Sequence, residues 1–233
     1  ATTQGISVSD ANCVGMVQEG ANTVLHVNLP KTSNTASSDY NIDARFHTGS
    51  AWAENATFLN GYRGKSIVYQ FKFKPVQTPT VNVLLRYLAD TSDTSTRNQL
   101  SLFSIKANGE VQAFTKTINQ TFKTGTWYDI ALVCDFTDGS AEIYINGTKV
   151  EGSFTIPAYD KLKQDTAGLN PLLRFSDIGN ITDTSEYYLD DIAVYTGTAP
   201  VDQFTEKVYY SENFAAEDYK TTKAEPGKGM DIV

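Results

Sequence analysis

The stretch GTWYDIALVCDFTDGSAEIYINGTKV, residues 125–150, decides the fold class of this chain. Two sets of side chains alternate along its first half, and its second half alternates in the same way around Ile143 and Ile145. This two-residue period is that of a β-strand. Asp138-Gly139 and Asn146-Gly147 lie beside apolar runs and suit the left-handed backbone of tight hairpin turns. The stretch therefore predicts two adjacent antiparallel strands with Asp138-Gly139 at their turn.

The same alternation recurs along most of the chain. It is cleanest from Lys65 to Lys74, and Asn108-Gly109 marks a further hairpin. No long run has helical spacing, and only Pro157 to Asp165 suits a short turn or helix. We count about a dozen strands by this pattern. The sequence therefore predicts an all-β fold, a two-sheet antiparallel sandwich.

A second phrase, YYLDDIAVY from Tyr187 to Tyr195, closes the patterned region. Together with W-Y-x-I-A-L-V and Y-I-N-G of the central stretch, it resembles the laminin-G-like, concanavalin-A-like jelly-roll family of secreted sugar-binding modules and polysaccharide-degrading enzymes. The resemblance covers residues 5–197 and implies a jelly-roll β-sandwich. We expect residues 1–197 to form this sandwich and residues 198–233 to form an edge segment and a linker toward a further module.

Composition limits the class of partner. The formal charge of −8 and the pI near 4.8 argue against nucleic acid, because phosphate binding needs a concentrated basic surface. No apolar run reaches the roughly 20 residues that span a bilayer, so no membrane insertion is expected. Charged residues are only 20%, with abundant Thr, Ser, Asn and Gly, which is typical of secreted or cell-surface β-proteins.

Two cysteines, Cys13 and Cys134, are too few for a disulfide-stapled scaffold. They are interpreted as two buried free thiols. A bridge between the first strands and a central strand stays open as the alternative in an oxidising compartment, since sequence alone does not establish proximity.

A calcium site is the first chemical candidate. In the family that this chain resembles, an Asp in the last-strand phrase often holds a structural calcium together with oxygen ligands near the first strand. Asp191 matches that position, and Asp10, Asn12 or Glu19 can supply the partner. Calcium prefers such hard oxygen ligands. Adjacent carboxylates at a strand end also serve as solvated or capping groups, which is the alternative interpretation.

A sugar platform is the second candidate. Aromatic rings in loops bind the apolar faces of sugars by stacking, and Tyr40 and Trp52 lie in or beside loops. Trp52 is the best single choice because it lies outside any alternating run. Trp127, in contrast, opens a strand and is predicted to be structural.

A group of charged residues is the third candidate. Strand alternation directs Asp43, Arg45 and His47 to the same face, and Arg86 occupies an internal strand position that normally holds an apolar residue. An arginine there must line a wet groove or be paired. Gathered in one place, such arginines suit an acidic sugar. The arginines that the fold must bring together for this are Arg45, Arg86, Arg97 and Arg174.

The functional prediction is a non-catalytic carbohydrate-binding module of a secreted multimodular protein, binding a polysaccharide or other glycan through Tyr40, Arg45, His47, Trp52 and Arg86. The alternative is a polysaccharide lyase, in which Arg45 neutralises a uronate and His47 or a tyrosine removes its C5 proton. A structural or protein-interaction domain of a surface protein is the third interpretation. The jelly-roll fold alone does not separate them, because it hosts many activities.

Overall fold

The computed structural model describes residues 5–8, 11–29, 40–45, 61–77, 80–92, 98–170, 172–177, 185–201 and 208–212. These residues form two antiparallel sheets, and the prediction of an all-β sandwich is confirmed. The short helix α1, Tyr159–Leu162, lies within the segment for which a turn or helix was predicted. A single 3₁₀ turn, Ala11–Cys13, precedes the second strand. No helix among the described residues is long and apolar enough to cross a membrane.

The first sheet has eight strands. In spatial order they are β1 (Gly5–Val8), β4 (Tyr40–Arg45), β15 (Leu172–Asp177), β6 (Val81–Leu88), β7 (Asn98–Ile105), β8 (Glu110–Ala113) and β9 (Lys116–Thr121), and β14 (Gly168–Leu169) pairs with β6. Strand β15 comes late in the chain but pairs between β4 and β6. Residues more than a hundred positions apart are therefore neighbours in this sheet.

The second sheet has nine strands. In spatial order they are β12 (Thr148–Lys149), β11 (Ser140–Ile145), β10 (Tyr128–Asp135), β5 (Ser66–Gln77), β16 (Ser185–Thr196), β3 (Asn22–Leu29) and β2 (Val14–Glu19), with β13 (Phe154–Thr155) beside β11 and β17 (Val208–Glu212) beside β16. The pairing of β17 with β16 brings part of the segment after residue 197 into this sheet.

Strands β10 and β11 of the central hairpin pair as predicted, but the connection between them is longer than a two-residue turn. Strands β10 and β11 are antiparallel neighbours with Cys134 opposite Ala141. Four residues, 136–139, connect them, and the Asp135 carboxylate accepts the backbone N–H of Thr137 at 2.7 Å. The Asn146-Gly147 turn has the two predicted residues, with φ of 52° and 74°.

The core lies between the two sheets. Phe71 of the nine-stranded sheet makes edge-on ring contacts with Phe175 at 5.1 Å and Phe103 at 6.2 Å, both on the eight-stranded sheet. Burial of such rings supplies most of the favourable free energy of folding. Cys13 and Cys134 are both buried free thiols, as the first interpretation of the sequence has them. Burial raises the pKa of the Cys134 thiol.

Candidate functional site

Three arginines share the outer face of the eight-stranded sheet. Arg45 pairs with Leu172, Arg174 pairs with Leu84, and Arg86 lies two residues beyond Leu84 on the same side of β6. Directly paired residues of a sheet point to the same face. The three side chains are half-buried. We call this surface the arginine face; Arg97 lies outside the described residues.

The charge on this face is unbalanced. The outward residues of β4, β15 and β6 include three arginines but only one carboxylate, that of Asp43. The full outward set is Asn41, Asp43, Arg45, Leu172, Arg174, Ser176, Asn82, Leu84, Arg86 and Leu88. This local excess of two positive charges stands in a protein of formal charge −8. Such a local patch attracts anions even when the net charge is negative.

Asp43 is the organising residue of the arginine face. Its carboxylate, only 5% exposed, accepts a bond from Arg174 Nε to Oδ1 at 2.6 Å and a second from Arg174 Nη2 to Oδ2 at 2.8 Å. This two-bond geometry fixes the orientation of the guanidinium and compensates its charge. Arg45 Nη2 is 3.7 Å from the same Oδ2, beyond hydrogen-bond distance. Arg174 is thus committed to Asp43, while Arg45 interacts with it only weakly.

A continuous row of small polar side chains crosses the same face. It runs through six neighbouring strands, from β4 to β9, and consecutive members are direct partners in the sheet register: Asn41, Ser176, Asn82, Ser104, Gln112 and Thr117. We call it the polar row. Ser176 is buried and Thr117 exposed, and the other four are half-buried. The row lies on the outward side because its strand neighbours Phe175, Val83 and Val111 belong to the core.

The predicted ligand-binding residues separate into three groups. Arg45 and Arg86 share the arginine face. Tyr40 lies on the opposite side of β4, where its ring packs against the core and lines a small cavity beside Tyr187. His47 and Trp52 lie outside the described residues, so their part in the site stays a prediction.

Among the described residues, the two carboxylates predicted to bind calcium, Asp191 and Glu19, contact different lysines, Lys72 and Lys74. Asp191 has φ 48° and its Oδ2 lies 2.5 Å from Lys72 Nζ. The hydrogen bond from Lys72 to Asp191 raises the pKa of the lysine. Asn12 lies in the 3₁₀ turn before β2, whose first residue, Val14, is aligned through Val27 with Tyr187, four residues or roughly 13 Å from Asp191 along the sheet.

Asp10 lies outside the described residues. In the part of the chain that the structure describes, no three His, Cys, Asp or Glu residues group as metal ligands. Calcium binding stays a prediction.

Trp127 does not belong to the core between the sheets; its ring and its indole N–H contact side chains on the outer surface. It precedes β10 on the outer face of the nine-stranded sheet, because its neighbour Tyr128 is the one that turns inward and stacks on Phe122 at 3.8 Å. Trp127 Nε1 donates to Glu19 at 2.9 Å, and Lys74, which also contacts Glu19, lies over the Trp127 ring. The alternation along the sequence already groups Trp127 with Asp129 on this face.

Tyr188 extends this second cluster across the sheet. Lys74 Nζ lies 4.4 Å from the centre of its ring on one side, and His26 makes an edge-on contact at 4.9 Å. His26 Nε2 is 2.7 Å from Glu186. His26, the histidine that the structure describes, therefore lies in an internally paired cluster on the nine-stranded sheet, whereas the arginine face is on the eight-stranded sheet.

Comparison with known proteins supports the fold. No family model matches the chain, and no curated protein matches it significantly. Solved structures do match. Alginate lyase A1-II', a member of polysaccharide lyase family 7, has a TM-score of 0.53 at 14% identity over 81% of this chain and 85% of its own. The same lyase in complex with product gives 0.52 at 14% identity over the same shares.

Two weaker matches have TM-scores under 0.5. A glycoside hydrolase family 16 endo-glucanase from Bacteroides ovatus gives 0.45 at 12% identity, over 81% of this chain and 87% of its own. A sialidase gives 0.48 at 11% identity over 82% of this chain, which spans only 17% of the sialidase.

The architecture and the lyase matches together define a two-sheet jelly-roll β-sandwich. At these identities the matches show the fold and leave the laminin-G-like relationship as a resemblance.

Proposed function

We propose that this protein is a non-catalytic, secreted or cell-surface carbohydrate-binding domain that binds an anionic glycan on the arginine face. The observation that carries the proposal is the excess of arginine over carboxylate on three adjacent strands, with Arg45 only weakly engaged by Asp43. Guanidinium groups bind carboxylate and sulfate through paired hydrogen bonds, and neighbouring amide and hydroxyl groups suit sugar hydroxyls. The named structural matches include a polysaccharide lyase, which supports a glycan ligand at the level of fold.

The lyase alternative has less support among the described residues. It needs a proton-abstracting His or Tyr next to the arginines. Tyr40 turns into the core, and His26 lies in the paired cluster on the other sheet. His47 stays the candidate for that role, and it lies outside the described residues.

The test is a binding titration with uronate and sulfated oligosaccharides. We expect Arg45→Ala/Arg86→Ala to weaken binding by at least about a hundredfold, since a hydrogen bond to a charged group contributes about 1.5–3 kcal/mol. The matched control is Lys72→Ala/Lys149→Ala, which removes two positive charges from the nine-stranded sheet and should leave affinity within about twofold.

Three outcomes separate the candidate functions. Equal losses in both double variants contradict the site, because they show only a net-charge effect. Release of unsaturated uronate that His47→Ala abolishes favours the lyase. Failure of every anionic and neutral glycan to bind favours a structural or protein-interaction domain.

A further inference from the structure

A carboxyl group is buried between the two sheets at one end of the sandwich. Asp177, the last residue of β15, is only 2% exposed. Its side chain points inward because Phe175, two positions earlier on the same strand, belongs to the core. The hydroxyl groups of Ser185 and Tyr187, at the start of β16 on the other sheet, both donate to it. We call these three residues the Asp177 clasp, because their hydrogen bonds link the two sheets.

Neutral groups surround this carboxyl. Tyr40 of β4 is its direct partner in the sheet register, and on the β6 side the register continues to Val81. Among the described residues, the titratable groups that face Asp177 are Tyr40 and Tyr187, and no lysine, arginine or histidine faces it. Burial raises the pKa of Tyr187, so this tyrosine stays protonated at neutral pH. The site therefore suits a neutral carboxylic acid, whereas a carboxylate there lacks both water and a counter-ion.

The position of the clasp favours local opening. Tyr40, Asp177 and Ser185 are terminal residues of β4, β15 and β16. Tyr40 and Tyr187 also line a small cavity of about 10 Å³, close to the least volume that one water molecule needs. The ends of strands open at a lower free energy than their centres. Hydration of an ionised Asp177 therefore requires separation of these strand ends and leaves the centre of the core in place.

We infer that the Asp177 clasp is a pH-operated device: it is closed while Asp177 is protonated, and its ionisation separates the adjoining ends of β4, β15 and β16 while the rest of the sandwich stays folded. The inference does not depend on the ligand of the arginine face. In the open form the carboxyl is hydrated and releases its proton readily. Each unit of rising pH therefore multiplies the open population up to tenfold, until the carboxyl of the closed form also ionises.

Hydrogen exchange of backbone amides, followed by mass spectrometry from pH 5 to pH 8, tests this inference. Each rate is divided by its intrinsic rate at the same pH. We expect the corrected exchange at the end of β15 and the start of β16 to rise about a hundredfold over this range, because burial raises the pKa of Asp177 to about 7. Amides of β10 and β11 should change less than about threefold, because these strands stay folded when the clasp opens.

Three variants complete the test. Asp177→Asn should abolish the rise, since an amide does not ionise. Tyr187→Phe removes one donor to the carboxylate, so the rise should continue to a higher pH than in the wild type. Asp135→Asn is the matched control: this aspartate also ends a strand and accepts a serine hydroxyl, that of Ser66 at 2.9 Å, but it is half-buried. It should leave the rise unchanged.

Two outcomes overturn the inference. If all slowly exchanging amides accelerate together, Asp177 ionises only on global unfolding and no local opening exists. If the β15 and β16 ends show no rise, or if the rise persists in both Asp177→Asn and Tyr187→Phe without a shift along the pH axis, Asp177 does not control this end of the sandwich.

Discussion

Arg174 and Asp43 are joined across β15 and β4 by two parallel hydrogen bonds of 2.6 and 2.8 Å, and 131 residues separate them in the chain. Both side chains are largely buried, at 13% and 5% exposure. The pair fixes one guanidinium in the middle of the arginine face and links β15, from late in the chain, to β4, from early in the chain. It therefore matters for both the stability and the layout of the candidate site.

Asp43→Asn tests the energetic part of this relationship. We expect a loss of about 3–5 kcal/mol in the free energy of unfolding, because it leaves the Arg174 charge buried without a counter-ion. Asp43→Leu/Arg174→Met removes both charges and should cost clearly less. Urea denaturation measures both changes. If the double variant is as unstable as Asp43→Asn, lost packing rather than the unpaired buried charge of Arg174 accounts for the loss of stability.

Asp177 predicts a pH dependence of stability. From β15 its carboxylate accepts the Ser185 hydroxyl at 2.8 Å and the Tyr187 hydroxyl at 3.2 Å, both from β16 on the other sheet. Burial raises the pKa of Asp177 from 3.8 to about 7. The folded state holds this proton more tightly than the unfolded state. Protonation of Asp177 therefore contributes fully to the free energy of unfolding below about pH 3.8. This contribution declines as the pH rises and is gone above about pH 7.

Asp177→Asn should remove that decline, because the amide does not ionise. Each pKa unit corresponds to about 1.4 kcal/mol, so between acidic and weakly basic solution we expect the free energy of unfolding of the wild type to fall by a few kcal/mol more than that of the variant. Urea denaturation of both proteins across this pH range measures it. Parallel curves for wild type and variant would contradict the assignment of the proton to Asp177.

Gly139 is predicted to be intolerant of a side chain. Its φ is 84°, and a Cβ atom there would lie 2.4 Å from the ring of Tyr159, whose hydroxyl is bonded to the Thr137 carbonyl at 2.8 Å. Backbone strain and overpacking together should make Gly139→Ala cost about 2–4 kcal/mol in stability. Gly147→Ala is the control: φ is 74° but nothing lies within 4 Å, so only about 1–2 kcal/mol of strain is expected. Equal losses in thermal denaturation would rule out the clash with Tyr159.

Calcium binding at Asp191 is tested by chelation. A bound ion stabilises the folded chain by mass action, by about 2.7 kcal/mol at a hundredfold excess over its dissociation constant. Because Lys72 Nζ already contacts Asp191 Oδ2, calcium must displace the lysine. We expect chelation to lower the melting temperature, Lys72→Ala to enlarge the effect and Asp191→Ala to abolish it. Unchanged melting in both wild type and Lys72→Ala would contradict the prediction.

The sequence determined the local part of this structure. Alternation along residues 125–150 predicted the pairing of β10 with β11, and Asn146-Gly147 predicted its own two-residue turn. Alternation also put Asp43 and Arg45 on one face of β4. These features depend on residues close in the chain, because the pleat alternates side chains and only certain residues tolerate a left-handed backbone.

Only the tertiary structure decided which strands are neighbours and which face meets the core. Strand β15 inserts between β4 and β6, and this alone brings Arg174 to Asp43 and aligns the polar row across six strands. The same choice of face turned Tyr40 inward and Trp127 outward. A strand pattern has two faces and many compatible partners; burial of the whole core selects one arrangement, and that selection is a long-range free-energy balance that no short segment contains.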